Sequence, residues 1–578
     1  MMIFESLPNE LLLEFVEYFS FTDLLRSFYR LNHRFNNLIH IYIRTYTINF
    51  QSISKSDFDF ISQRYLSSIA DHVHSLRFSD DDDTPQEVHQ FFSYGLSLRQ
   101  FSYLKFLSIH RFNSFDYLTT VLEQLVELPE LNHLKITRYD ATYNAKYDID
   151  MIKIIEHLPK VTSCYLDVSY DNENSYEVLS IISSSLSCLC FPKLNCDINQ
   201  LIHLIKQLPN LSSLTISIVD QPTNLLISSI EFKSMRKLDL LFYGYADNLM
   251  KFLPAMPNLE EFKVDFHPFF IDGRQWEKLI ENCLKKLVRF QFKTAFMVSR
   301  EKSKQEEIDR ILNSFRSQFW IDKHQWFVQC HWIPNDFSRT MLIYTLPYAF
   351  ENFFFSGNVR MKSTAPPEYV HHRTFHSVNN LYYGRNLYEN LPLPEFRLEN
   401  IRHLDITIPY DQSFDSLVSS LDRLDSLKVD PYDYMNMDKV HANLHTLCQR
   451  SSQLRSLKLS TWFNQHDFLL KIVHPKIRQL YLQGSNIVYN ADKCEKLASS
   501  GIGQQCEVLC IRVERRTDIV KLVNNMSKLR ALVVKCIDTS SLENGDGNLV
   551  EWLREHLPDV CSISRTNEAH KDIRLWIR

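Results

Sequence analysis

Residues 128–136 read LPELNHLKI, and residues 208–216 read LPNLSSLTI. Each stretch contains the spacing Φ-x-x-Φ-x-Φ, where Φ is an apolar residue and x is any residue. The last two Φ positions alternate with polar residues, as a short strand with one buried face requires. The proline ahead of them ends a preceding helix, because proline cannot donate the helical hydrogen bond. The two stretches therefore predict a unit made of a helix, a Leu-Pro turn and a strand.

The same spacing recurs along most of the chain, with starting positions usually roughly 23 to 31 residues apart, within reach of the period of leucine-rich repeats. A unit of this size cannot bury its apolar face alone, so neighbouring units must stack. We expect an α/β fold with an irregular leucine-rich-repeat-like solenoid, irregular because the asparagine that usually follows the strand is mostly missing. An ordinary two-layer α/β domain is the alternative. The clear copies start at Leu104, Leu131, Leu211, Met235, Leu259, Ile401, Leu424, Leu454, Ile477 and Leu529.

Residues 293–400 interrupt this rhythm and are rich in aromatic residues. Trp326, Val328, Cys330 and Trp332 alternate as they would on one face of a strand, and we expect the tryptophans to lie mainly in the core. The interval is about four units long, so it holds either divergent repeats, which we favour, or an insertion. The predicted organisation is a helical module at 1–50, a first arc of repeats at 51–292, the region 293–400, and a second arc with a C-terminal cap at 401–578.

The first fifty residues predict three short amphipathic helices. The run 7–10, LPNE, places proline where a helix needs no N–H donor and an acid near the positive end of the helix dipole. The run 20–23, SFTD, has the composition of a capping box at the start of the second helix. Three helices of this length have too little interior to bury every apolar side chain. Part of their surface should therefore meet another domain or another protein.

The segments 7–15 (LPNELLLEF), 20–25 (SFTDLL) and 31–39 (LNHRFNNLI) together resemble the F-box. Many F-boxes have a tryptophan late in the motif, where this chain has Ile41 and Tyr42. The resemblance implies that the module binds a Skp-type adaptor and, through it, a cullin-RING ubiquitin ligase. A generic helical cap on the repeats is the alternative. The residues that would face or support the adaptor are Leu7, Pro8, Glu10, Leu11, Leu12, Phe15, Leu24, Leu25, Phe35 and Leu38.

Composition argues against several classes of protein. The formal net charge is -5, so nothing draws the chain generically to nucleic acid or to an anionic membrane, and we expect neither as a partner. The 12 cysteines are scattered without a CxxC pair, which is typical of reduced thiols in the cytoplasm or nucleus. We expect no signal peptide. No apolar run approaches the roughly 20 residues of a membrane span.

Residues that could carry chemistry form no recognisable catalytic motif, and we expect no metal or cofactor. The acidic run 80–83 lacks the alternating ligands of a calcium loop, so we expect a solvated loop. The glycine pairs at 501–503 and 545–547 predict turns rather than dinucleotide-binding loops. Zinc sites usually repeat a tight ligand pair twice. We expect a buried cysteine and exposed histidines instead among His324, Cys330, His331, His371, His372 and His376.

These patterns predict a non-catalytic interaction protein, the substrate-recognition subunit of an SCF-type ubiquitin ligase. The helical module would hold the adaptor, and the repeats would bind a protein target and raise its effective concentration near the ubiquitin-carrying enzyme. A non-degradative adaptor-bound scaffold or repeat-based interaction module is one alternative. An α/β enzyme, with a deep pocket of perturbed titratable groups, is another. The side chains expected beside the target are Lys135, Thr137, Lys263, Lys428, Lys458 and Ser460.

Overall fold

The computed structural model divides the chain into two compact units. Unit 1 comprises Met1–Asn195, Ile202–Leu211 and Leu557–Arg578, and unit 2 comprises Cys196–Leu201 and Ser212–His556. The residues that the structure describes are 5, 7–138, 150–167, 181–220, 230–298, 303–333, 340–356, 359–366, 369, 372–384, 396–432, 437–460, 470–484, 487–537, 547–565 and 572–578.

Unit 1 begins with three helices, α1 (Asn9–Val16), α2 (Phe21–Phe28) and α3 (His33–Thr45), which confirms the three predicted helices. Further helices follow between the strands of both units. They are Lys55–Ile61, Ser67–Ile69, Glu87–Ser93, Leu118–Val126, Ile198–Gln207, Ala246–Phe252, Gly273–Cys283, Lys304–Ser314, Gln412–Leu417, Met437–Arg450, Ala491–Ser499, Gly501–Gln505, Arg516–Asn525 and Gly547–His556.

Short strands alternate with these helices, so the fold is mixed α/β. Those of unit 1 are β1 (Ile48–Asn49), β2 (Ser75–Ser79), β3 (Phe106–Phe112), β4 (His133–Arg138), β5 (Ser163–Leu166), β6 (Cys188–Cys196), β22 (Ser562–Arg565) and β23 (Ile573–Trp576). Those of unit 2 are β7 (Ser213–Val219), β8 (Lys237–Tyr243), β9 (Glu261–His267), β10 (Arg289–Met297), β11 (Phe327–Trp332), β12 (Thr340–Leu346), β13 (Asn352–Ser356), β14 (Arg360–Ser363), β15 (Asn380–Gly384), β16 (His403–Ile408), β17 (Ser426–Pro431), β18 (Ser456–Leu459), β19 (Gln479–Tyr481), β20 (Val508–Val513) and β21 (Ala531–Cys536).

The predicted apolar spacing coincides with the strands, and parallel pairing aligns it from one strand to the next. In unit 1 the consecutive partners on β2 to β6 are Leu76, Leu107, Leu134, Cys164 and Leu189, all buried. Each unit of the pattern therefore adds one side chain to a continuous buried row, worth about 1.5–3 kcal/mol for a fully buried leucine. In unit 2 the matching row on β15 to β21 is Leu381, Leu404, Leu427, Leu457, Leu480, Leu509 and Leu532.

The region 293–400 combines two kinds of strand. Strand β12 pairs antiparallel with β10, β11 pairs antiparallel with β12, and β14 pairs antiparallel with β11. Strands β13 and β15 instead run parallel, and β15 continues in parallel to β16. The parallel pattern is therefore interrupted by antiparallel strands and resumed inside the same region.

Strand β11 differs from the prediction of one buried face. All six of its residues, Phe327–Trp332, are buried. The reason is that the second face is also covered, since aromatic residues such as Phe353 pack on His331 with ring centroids 5.9 Å apart, while β12 and β14 pair with the two edges of the strand. The expected core positions of Trp326, Cys330 and Trp332 are confirmed.

The glycine pair at 501–503 was predicted to be a turn, and this was wrong. Residues Gly501–Gln505 form a short helix, because the Ser500 hydroxyl accepts a hydrogen bond from the main-chain N–H of Gly503 at 3.1 Å. The pair at 545–547 lies largely outside the described residues, apart from Gly547 at the start of a helix.

The prediction of a solvated loop at 80–83 was also wrong. Asp80, Asp82 and Asp83 are buried, and the Asp80 carboxylate accepts hydrogen bonds from three main-chain N–H groups at 2.9–3.1 Å. Arg574 on β23, only 1% exposed, donates to Asp82 Oδ1 at 2.8 Å and to the Asp80 carbonyl oxygen at 3.0 Å. The sequence alone could not supply this cation, because it comes from the other end of the chain.

Further contacts within unit 1 join its C-terminal segment to its first strands and helices. The main-chain N–H of Lys55 donates to the carbonyl oxygen of Arg578 at 2.7 Å. The ring of Trp576 packs on Phe58, with centroids 5.2 Å apart. The antiparallel pair β22 and β23 is thus part of the core that contains the start of the repeats.

Candidate functional site

The three N-terminal helices share a small core. Leu12 of α1 packs with Phe35 and Leu38 of α3 in one buried cluster. Leu24 and Leu25 of α2 are buried as well. These five residues of the predicted adaptor site are therefore packed inside the three-helix module. In this arrangement they can support a binding surface, but they cannot contact a partner themselves.

Polar residues of the same segments fix the helix ends. Ser20 Oγ accepts a hydrogen bond from the Asp23 N–H at 3.1 Å, and Asn32 Oδ1 accepts one from the Phe35 N–H at 3.0 Å. Each side chain satisfies an N–H that the first turn of a helix leaves without a partner. Asn32 of the 31–39 segment is therefore the N-cap of α3.

Arg34 joins α3 to the beginning of α1. Its Nε donates to Asn9 Oδ1 at 2.8 Å, and its two Nη atoms donate to the main-chain carbonyl oxygens of Glu5 and Leu7. A planar guanidinium can donate in several fixed directions at once, which lysine cannot. The arginine thus holds the LPNE segment against the third helix.

The other predicted adaptor residues lie on the outside of α1 or at its start. Pro8, Glu10, Leu11 and Phe15 are exposed, and Leu7 is partly buried against the small core. Leu11 and Phe15 are 49% and 41% exposed. The structure thus brings five of the ten predicted site residues together on the outside of α1 or just before its start.

Tyr18 extends this surface and was not among the predicted site residues. It is 89% exposed, just beyond the end of α1. Leu11 and Phe15 are four residues apart on α1, the spacing that places side chains on one side of a helix, and Tyr18 follows in the turn after the helix. The signal was present in the sequence as apolar residues in excess of those needed to pack three short helices. We call Pro8, Leu11, Phe15 and Tyr18 the α1 surface.

The side chains expected beside a target contact neighbouring strands. Lys263 forms an ion pair with Asp239 at 3.1 Å, and Lys428 with Asp405 at 2.7 Å. The ammonium groups of Lys135 and Lys458 lie 4.8 and 4.4 Å from the ring centroids of Tyr165 and Tyr481, respectively. Thr137 Oγ1 accepts from the Arg111 N–H, and Ser460 Oγ donates to the Val429 carbonyl oxygen.

An exposed aromatic pair lies on two neighbouring strands of unit 2. The rings of Phe354 on β13 and Tyr382 on β15 are nearly parallel, with centroids 4.5 Å apart. Their exposed fractions are 65% and 37%. The amides of Asn352 and Asn380 are hydrogen-bonded at 2.7 Å on the same strands. The pair is available for contact with another molecule, and the sequence pattern did not single it out.

Within the described parts of the chain, no three His, Cys, Asp or Glu side chains are grouped as metal ligands. The expectation of exposed histidines was wrong for His331, which is buried, and burial lowers its pKa to about 3. Its Nε2 lies 2.7 Å from the Tyr344 hydroxyl. His376 is exposed, and His371 lies outside the described residues.

A search of family models gave no match, and no curated protein matches the sequence. Among solved structures, the chain is similar to one in the complex of Rad7 and Elc1 from yeast, with 13% identity, a TM-score of 0.24, and coverage of 89% of this chain and 94% of that chain. It is also similar to a chain in the Toll–Spatzle complex of Drosophila, with 12% identity, a TM-score of 0.21, and coverage of 85% and 51%. Likenesses of this size carry no argument about function.

None of the helices in the described ranges combines the length and the apolar composition that a bilayer crossing needs.

Proposed function

We propose that this protein is the substrate-recognition subunit of an SCF-type ubiquitin ligase, and that a Skp-type adaptor binds to the α1 surface. The observation that carries the proposal is the exposed apolar group formed by Leu11 and Phe15 on α1 and Tyr18 just beyond it, in a segment whose sequence resembles the F-box. Exposed apolar side chains grouped together on a soluble protein mark a place where another molecule binds. A cullin-RING ligase would join through the adaptor.

The remaining predicted adaptor residues have a supporting role in this proposal. Leu12, Phe35 and Leu38 hold α1 against α3, and Leu24 and Leu25 anchor α2. Arg34 fixes the start of α1, so the helix meets the adaptor in one orientation. A surface that is ordered before binding loses less conformational entropy when the partner arrives.

The parallel strands are proposed to bind the protein target as leucine-rich-repeat-like arcs. Support comes from the exposed stack of Phe354 and Tyr382, because aromatic anchors supply much of the energy of protein recognition. Lys428 and Lys458 lie on strands of the same parallel series. The protein itself would catalyse no reaction, and its division into the arcs 51–292 and 401–578 stays a prediction.

Co-purification with a Skp-type adaptor tests the proposal. Leu11→Asp adds a charge to the middle of the α1 surface without touching the small core, so we expect stoichiometric binding by the wild type and loss of at least about tenfold in affinity in the variant. Val288→Asp is the matched control, because Val288 is 77% exposed at a site remote in sequence. Equal binding by both variants, or no binding by a folded wild type, would exclude the α1 surface.

The fate of the target separates a ligase receptor from a scaffold. A receptor predicts that targets captured through the strands are lost faster in cells with wild-type protein than in cells with Leu11→Asp. A scaffold predicts capture of the same targets with unchanged half-lives.

A further inference from the structure

A pocket of about 580 Å³ opens in unit 1, where the end of α3 meets the loops that precede β2, β3 and β4. It belongs neither to the α1 surface nor to the exposed face of the strands. Its lining residues are Arg44, Asp71, His72, His74, Tyr103, Lys105 and Glu130.

Each of the two acids of the pocket already has a polar partner. Asp71 lies 2.5 Å from His72 Nδ1. Glu130 forms an ion pair with Lys160 at 2.8 Å, and the hydrogen bond from Lys160 lowers the pKa of this carboxyl group. Lys160 is not among the lining residues. It therefore pairs with Glu130 from outside the pocket, and the charge of Lys105 inside the pocket lowers the pKa of Glu130 less strongly.

The two permanent cations of the pocket have no such partner. Within the described part of the chain, neither Arg44 nor Lys105 forms an ion pair. Burial lowers the pKa of His74, and the charges of Lys105 and Arg44 lower it further. Arg44 and Lys105 line the same pocket as His74.

We propose that this pocket binds a phosphate monoester, with Arg44 and Lys105 contacting the phosphate oxygens and His74 and Tyr103 beside them. A phosphate monoester carries close to two negative charges at neutral pH and several acceptor oxygens, so it gains from two cations at once. A carboxylate carries one charge and gains less. The volume of the pocket exceeds that of phosphate alone, which leaves room for the group that carries it.

The same phosphate chemistry can come from a phosphorylated protein side chain or from a phosphorylated small molecule. Tyr103 is exposed at the rim, where its ring can pack on either carrier. This proposal stands on the pocket and is independent of adaptor binding, because none of its lining residues belongs to the α1 surface.

Titration calorimetry on the full chain at low ionic strength tests the proposal, with inorganic phosphate, O-phosphoserine and glucose 6-phosphate as probes. We expect saturable binding of a monoester with a Kd below about 5 mM. Arg44→Gln and Lys105→Gln should each weaken it about tenfold, as the loss of a charge-assisted hydrogen bond implies. Lys237→Gln, which removes the same charge in unit 2, should leave it unchanged.

Glu130 gives a test that does not depend on loss of binding. Glu130→Gln should tighten binding severalfold, whereas Lys160→Gln should weaken it, because Glu130 then loses its partner. Tighter binding of O-phosphoserine indicates a protein side chain as the source, and tighter binding of glucose 6-phosphate indicates a small molecule. Binding of inorganic phosphate alone, binding of no probe, or binding insensitive to all four substitutions in the pocket region would overturn the proposal.

Discussion

Gly503 lies where helix Gly501–Gln505 passes close to the end of the preceding helix. A Cβ atom at this position would lie 1.9 Å from the carbonyl oxygen of Leu497, a main-chain atom that cannot rotate away. At Gly501, two residues earlier, an added Cβ meets nothing within 4 Å. Of the two glycines in this short helix, Gly503 alone is therefore required by a close approach of the main chain.

We expect Gly503→Ala to destabilise the region by about 1–3 kcal/mol, because the two helices must move apart. Gly501→Ala should be neutral or stabilise it by up to about 1 kcal/mol, since alanine favours the helix. Hydrogen exchange in Ala491–Ser499 and Gly501–Gln505 measures both effects. Similar protection in the two variants would contradict the close approach.

At this scale the sequence predicts a side chain best when its partner is near in the chain. Ser20 could be assigned as a helix cap from its neighbours in sequence alone, because the main-chain N–H that donates to its hydroxyl belongs to Asp23, three residues away. The acidic run 80–83 could not be assigned, since Arg574 is 492 residues from Asp82. Isolated from that partner, four aspartates in a row resemble a solvated loop.

Among the elements, α1 depends on α3 for its position. Arg34→Met keeps most of the side-chain volume and removes every hydrogen bond to Asn9, Glu5 and Leu7. We expect a loss of about 1.5–3 kcal/mol in the free energy of local opening of α1, because hydrogen bonds to a charged donor are lost. Hydrogen exchange in Asn9–Val16 measures it.

Arg26→Met is the control for this prediction. It removes the same charge from an exposed ion pair with Asp57, for which a loss of about 1 kcal/mol or less is expected. If both variants open α1 equally, the hydrogen bonds of Arg34 do not hold the helix, and the orientation assumed for adaptor binding would be wrong.

Strands were predictable where they have one buried face. On β9, Phe262 and Val264 alternate with polar residues, and the structure buries only the apolar positions. Strand β11 shows the limit of this rule, because its polar residues Gln329 and His331 are buried by packing on the second face. Periodicity records the faces of a strand, but not whether the neighbours cover both.

In unit 1 as a whole, the ion pair of Arg574 and Asp82 joins distant parts of the chain. Arg574→Met leaves a buried carboxylate without its guanidinium, so we expect a loss of about 3–5 kcal/mol. Adding Asp82→Asn should recover more than about 1 kcal/mol of it, since the two residues are in direct contact. Protection of β2 and of helix Glu87–Ser93 against hydrogen exchange reports the change.

The exposed pair of Arg289 and Glu261 provides the comparison, because Arg289→Met should cost less than about 1 kcal/mol. Strictly additive effects of Arg574→Met and Asp82→Asn would show that the ion pair does not join the C-terminal segment to the first strands. The periodic pattern gave no indication of this contact, because repeats predict neighbours and not which ends meet.

The separation of 492 residues between Asp82 and Arg574 also determines how far apart in time the two residues are synthesised on the ribosome. At about 5–20 residues per second, the codon for Arg574 is read roughly 25 to 100 s after that for Asp82. Throughout this interval the first strands have emerged while β23 has not been made. The last step in folding unit 1 therefore follows translation of unit 2, and the first strands stay accessible to chaperones throughout this interval.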